Sequence, residues 1–188
     1  MYDSAPYPEM KIIDKFYDDA LELIKSSNIK SLVDSCEVEL LSFIQAVYTW
    51  LWMSFGDTDR NMKIVLYNAS VRIADIFSYT PYIDIENENF ELMEDREKFY
   101  LDVINGKKLR AYCFFGEEPK GGGLRLLTAF IDLMLHPLSS KEYDEAPYAI
   151  FDFFEMATIS TKLFPALAEL TGSFFKDVAY EIDKWLNS

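Results

Sequence analysis

Three consecutive glycines, Gly121–Gly123, with Lys120 before them and Arg125 just after, form the most conspicuous arrangement in the chain. The chemistry they could do is capture of phosphate or another anion. A P-loop requires G-x-x-x-x-G-K-[ST], in which the lysine reaches the phosphates and the hydroxyl holds magnesium. Gly116 and Gly121 have the right separation, but Gly122 and Gly123 stand where lysine and Ser/Thr belong. The G-x-G-x-x-G pattern fails as well. What remains is an anion-binding candidate: backbone N–H groups of Gly122 and Gly123 at a helix start, flanked by Lys120 and Arg125. Two plainer readings compete with it, a connector between helices and a positive surface that pairs within the fold. The second draws on charge, since residues 107–125 carry a net +3 and residues 84–97 a net −6.

The single histidine, His136, removes several chemistries at once. Neither the paired Glu-x-x-His motifs of di-iron bundles nor H-E-x-x-H can be built. A Ser-His-Asp triad would use His136 with Asp132 one turn upstream, but no G-x-S-x-G is present. At a helix end before Pro137, a histidine is accounted for by the helix dipole alone. Cys36 and Cys113 have neither CxxC spacing nor an activating partner in sequence, which predicts two reduced, packed thiols. No catalytic residue is assigned.

Carboxylates are the remaining chemistry. In YDDALE, Asp18, Asp19 and Glu22 lie on one predicted helix, with Asp18 and Glu22 sharing a face at i, i+4. The segment resembles the aspartate-rich D-D-x-x-[DE] motif of isoprenoid synthases, a resemblance that implies magnesium and diphosphate binding. It covers five residues of 188, and no second metal motif of that kind follows. ELMEDRE, with Glu91-x-x-Glu94 and Glu94-x-x-Glu97, is similar to the E-x-x-E helices of helical nucleotide pyrophosphohydrolases, without their later E-x-x-D partner at a suitable distance. Both segments also read as solvated helix faces, because magnesium takes only one or two carboxylates plus substrate phosphates.

Charge and aromatic content point elsewhere. With 18 basic and 32 acidic residues the net charge is −14, which repels nucleic acid and anionic membrane. The amino-terminal MYDSAPYPEMKII lacks a basic region followed by an apolar run, so no signal peptide and a cytoplasmic location are expected. From Glu142 to Glu155 there are five acids and no base, interleaved with Tyr143, Tyr148, Phe151, Phe153 and Phe154. Aromatics beside an acidic rim suit a protein interface. The partner-binding candidates are therefore Glu142, Tyr143, Asp144, Glu145, Tyr148 and Asp152.

The elements that must position these residues are helices, since apolar spacing of three and four dominates. Ile13, Phe16, Ala20, Leu23 and Ile24 make one stripe, and Val33, Cys36, Leu40, Ile44, Val47 and Leu51 a second. Leu40–Phe55 is the most apolar window, yet short of the ~20 residues a membrane span needs. Its polar members Ser42, Gln45 and Thr49 share one face, so a helix buried on most sides is expected. Met62, Val65, Leu66, Ala69, Ile73 and Phe77 make a third stripe. Phe90, Met93, Glu97, Leu101 and Ile104 follow, with Asn89 as a cap. Asn105-Gly106 then reads either as a helix stop or as the turn of a small hairpin near residues 99–115; the stop is favoured. Leu124, Leu127, Ile131, Met134 and Leu135 form the next helix. Pro147 opens another through Ile150, Phe151, Phe154 and Ala157. Leu167, Leu170, Phe174, Val178, Ile182 and Trp185 form the last, with a break expected at Thr171-Gly172-Ser173.

The expected fold is all-α, a single domain over residues 1–188 built as one compact bundle of seven or eight helices. The expected function is non-catalytic: an acidic helical protein that binds, and inhibits or neutralises, a basic protein partner, as an immunity protein or nucleic-acid mimic does. No cofactor, nucleic acid or membrane is expected. The alternative is a magnesium-dependent helical enzyme acting on a phosphorylated small molecule through Asp18, Asp19, Glu22 and the Lys120–Arg125 turn.

Overall fold

A computed structural model of the chain describes residues 7–29, 36–55, 60–78, 88–106, 122–135 and 153–187. They form α1 (Pro8–Ser26), α2 (Cys36–Phe55), α3 (Arg60–Ser78), α4 (Glu88–Ile104), α5 (Gly122–Leu135), α6 (Phe153–Thr158) and α7 (Phe164–Leu186). A π-helical turn, Ile159–Leu163, joins α6 to α7 without interruption, so the described residues make six helical rods and contain no strand.

α1 shows why the amphipathic stripes fold as they do. Pro8 occupies the first turn, where its missing N–H is no loss, and Tyr7 before it is extended. The Tyr7 carbonyl accepts the N–H groups of Met10 and Lys11. Ile13, Phe16, Ala20 and Ile24 are buried as expected, with Leu23 half-buried. At the other end the Ser27 hydroxyl donates to the Ile24 carbonyl at 2.6 Å, and Asn28 takes the left-handed conformation (φ 56°) that ends helices. α3 buries all six residues of its predicted stripe.

α2 is the central rod, packed against α1, α3, α4 and α5. Cys36 to Ile44 are buried on every face, so the stripe through Cys36, Leu40 and Ile44 is only part of what this half of the helix buries. From Trp50 onward the helix emerges: Trp50 and Leu51 are half-buried and Met53 is 64% exposed. Stacked and tilted rings knit the helices together, with Phe16 of α1 4.3 Å from Phe174 of α7 and Phe43 of α2 5.2 Å from Phe130 of α5. Among the described residues no helix is long and apolar enough to cross a membrane.

The favoured helix stop at Asn105-Gly106 is what the structure has, and three other details differ from the sequence expectation. The hairpin is absent on its first side, because residues 99–104 are the end of α4, and the Gly106 N–H bonds the Val103 carbonyl at 3.1 Å with φ 107°. Residues 107–115, the second side of that hairpin, lie outside the described residues, as do residues 147–152, the expected start of the helix opened by Pro147. The buried face of α4 is Arg96, Phe99, Tyr100 and Val103, whereas Glu97, Leu101 and Ile104 are only half-buried. Arg96 supplies the reason, since it turns inward to a carboxylate on α2.

The second difference is the break expected at Thr171-Gly172-Ser173, where α7 instead runs straight through and buries Thr171. The irregularity lies upstream at Pro165, which has no N–H for the Thr161 carbonyl. The π turn absorbs it, with the Phe164 N–H reaching the Ile159 carbonyl. Finally, Phe154 and Ala157 face outward. The core stripe begins at Ile159 and continues through Leu163, Leu167 and Thr171. Steps of four would drift by about 40° each on a 3.6-residue helix, and the wider π turn offsets that drift.

Candidate functional site

The acidic face of α1 is held by a cation from within the fold. Arg72 of α3 donates to Asp14 through Nε (2.6 Å) and Nη2 (2.9 Å), and to Asp75 through Nη1 (3.3 Å). Asp18, one turn beyond Asp14, has its carboxyl held above the ordinary 3.8 by burial first and then by the charges of Asp14 and Asp19, with Arg72 partly offsetting them. Asp18, Asp19 and Glu22 are all exposed. Among the described residues no group of three or more metal-ligating side chains converges.

The glycine turn resolves in part. α5 starts at Gly122, so Gly122 and Gly123 do stand at a helix start. Arg125 is half-buried and donates to the Val103 carbonyl at 3.4 Å, serving the last turn of α4. Lys120 lies outside the described residues. So do His136, Cys113 and all six partner-binding candidates, Glu142, Tyr143, Asp144, Glu145, Tyr148 and Asp152. Cys36 is buried, and desolvation together with the Glu37 charge pushes its thiol up, away from the reactive thiolate.

The buried ionisable groups, missed from sequence, join helices. Arg96 (1% exposed) grips Glu39 (0% exposed) through Nε at 2.8 and 2.9 Å and Nη2 at 2.7 Å. Burial pushes the Glu39 carboxyl up, and the Arg96 charge and hydrogen bonds pull it back. Glu39 had a legible signal, a carboxylate flanked by Val38, Leu40 and Leu41 in the most apolar part of the chain. Glu9, also buried, accepts from Asn68 Nδ2 at 2.6 Å between α1 and α3. Tyr48 is itself fully buried, and that burial first, then the Glu9 charge, pushes its hydroxyl well above the ordinary tyrosine range. Glu37 takes Lys25 at 2.6 Å.

An apolar concavity lies between α2 and α7. It has a volume of about 470 Å³ and is walled by Val47, Trp50 and Leu51 on one side and Phe175, Val178, Ala179, Ile182 and Leu186 on the other. Asp183 is its single charged liner. Such volume and apolar character are those of binding clefts. Val47, Leu51, Val178 and Ile182 all belong to stripes read as core. The available sequence signal is Trp50–Met53, where α2 carries large apolar groups on every face. The chain matches no protein-family model, no curated protein and no solved structure with which it was compared.

Proposed function

We propose that this chain is a non-catalytic binding protein whose acidic surface recruits a basic protein partner, as an inhibitor of the immunity type or a nucleic-acid mimic would. One observation carries the reading. Among the described residues, charges inside the bundle nearly balance, with Arg72 and Arg96 set against Glu9, Glu37 and Glu39. Among those residues the acidic surplus is therefore borne on the outside, where it acts on other molecules. Glu142, Asp144, Glu145 and Asp152 would form the acidic rim, with Tyr143 and Tyr148 as anchors.

The test is capture of partners from native lysate by the tagged full chain. The reading expects a basic protein that is released as salt rises from about 0.05 to 0.5 M, because screening shortens from beyond 10 Å to a few ångströms. A double variant, Glu142→Lys with Asp144→Lys, should capture less of it while keeping the native melting temperature. A neutral or acidic partner, held equally by the charge-reversed protein, would remove the proposal.

A further inference from the structure

We infer that the groove between α2 and α7 is a docking site for the apolar face of an amphipathic helix, and that the helix belongs to the basic partner. The second half rests on the function proposed above; the first rests on shape. On α7 the lining residues Phe175, Val178, Ala179, Ile182 and Leu186 fall at i, i+3, i+4, i+7 and i+11. They make an unbroken apolar strip about 16 Å long at 1.5 Å per residue. α2 supplies the facing wall over a single turn, Val47 to Leu51. A trench of that length accepts two or three anchors spaced along about three turns of a helix, which is how helix-in-groove recognition works.

Two further features select the occupant. The apolar surface does not end at the trench: Met53 is 64% exposed one turn beyond Trp50, and Leu186 is 48% exposed at the far end. That open rim suits an elongated ligand better than a compact one, and methionine adapts to the side chains it meets. The one charged liner, Asp183, is a carboxylate at that far end, on a molecule of net charge −14. Its Oδ1 accepts from Asn187 Nδ2 at 2.9 Å, which holds the side chain in place. A lysine or arginine on the occupant beside its last apolar anchor would meet Asp183, whereas an acidic helix would be repelled.

The experiment uses the full chain and two labelled synthetic helices of about 15 residues, long enough at 1.5 Å per residue to span the strip with a turn to spare. Both carry leucine on one face, with lysine on the other face in one and glutamate in the other. The leucine–lysine peptide should bind, and Ala179→Trp, which fills the trench without adding charge, should weaken it at least about tenfold, as loss of a central contact does. The same substitution at exposed Ala74 of α3 should change nothing. Asp183→Asn should weaken the leucine–lysine peptide by about threefold, the size expected of one exposed charge. If Ala179→Trp does not fold, Leu186→Ala at the exposed end of the trench replaces it, and should weaken binding in the same direction.

Binding of the lysine peptide unchanged by both Ala179→Trp and Leu186→Ala overturns the docking site. So does a wild-type dimer that Ala179→Trp dissociates, which would assign the groove to a second copy. Uptake of dodecanoate with no peptide bound overturns it too, in favour of a small apolar ligand. Equal, trench-dependent binding of the glutamate peptide would keep the groove and remove the basic-partner reading.

Discussion

The buried pair of Arg96 and Glu39 and the exposed Asp18 carry opposite lessons about charge in this molecule. Arg96 and Glu39 are both buried, so removing one leaves the other as an uncompensated ion in an apolar surrounding. Arg96→Met should therefore cost about 3–5 kcal/mol, while the double variant Arg96→Met with Glu39→Leu should recover most of that loss. Urea unfolding of the two single variants and the double would measure both; a double variant as unstable as the sum of the singles would contradict the account. Asp18 is the reverse case, an exposed carboxylate with a raised pKa. A raised folded pKa means the charged form is disfavoured, so stability falls as pH rises through it. Asp18→Asn should then melt slightly higher at pH 7, an advantage that fades below the ordinary 3.8. Millimolar magnesium should leave the melting temperature of the parent unchanged within error. A magnesium-dependent rise abolished by Asp18→Asn would instead support the enzyme alternative.

At the scale of the elements, two glycines should respond with opposite sign to the same substitution. Gly106 ends α4 at φ 107°, and a Cβ there meets nothing within 4 Å, so only the backbone objects. Gly106→Ala should cost about 1 kcal/mol, measured by thermal or urea unfolding. Gly172 lies exposed inside the continuous α7, again with nothing near its Cβ, and Gly172→Ala should add up to about 1 kcal/mol. Destabilisation by Gly172→Ala would restore the break expected at Thr171-Gly172-Ser173. The same contrast explains what was legible in the sequence. α1, α3 and the second half of α7 each bury one face, and their stripes stand out. The first half of α2 and the middle of α5 are buried nearly all round, so the stripes read through them mark only part of what they bury. The buried face of α4 was misjudged by one residue because arginine is a surface type, and nothing local signals that Glu39 receives it. The groove was illegible because its walls, Val47–Leu51 and Phe175–Leu186, are far apart in sequence and made of residues that read as core. Thr171-Gly172-Ser173 has the composition of a break, and only packing against the core overrides it.

For the whole molecule, the property on which the proposed function rests is the net charge of −14. Exposed charge acts on encounter more than on the bound complex, because it steers diffusion over roughly a Debye length, about 10 Å at 0.1 M salt. Buried anchors act on dissociation, so Tyr148→Ala should quicken release while the charge reversals slow capture. The most direct measurement is the association rate of the captured partner with the parent chain and with the Glu142→Lys, Asp144→Lys variant, each at low and high salt. The account predicts an association rate that falls steeply with salt for the parent, a slower and flatter response for the variant, and dissociation rates that change little. Association that is independent of salt, or equally fast with the charge-reversed protein, would contradict it.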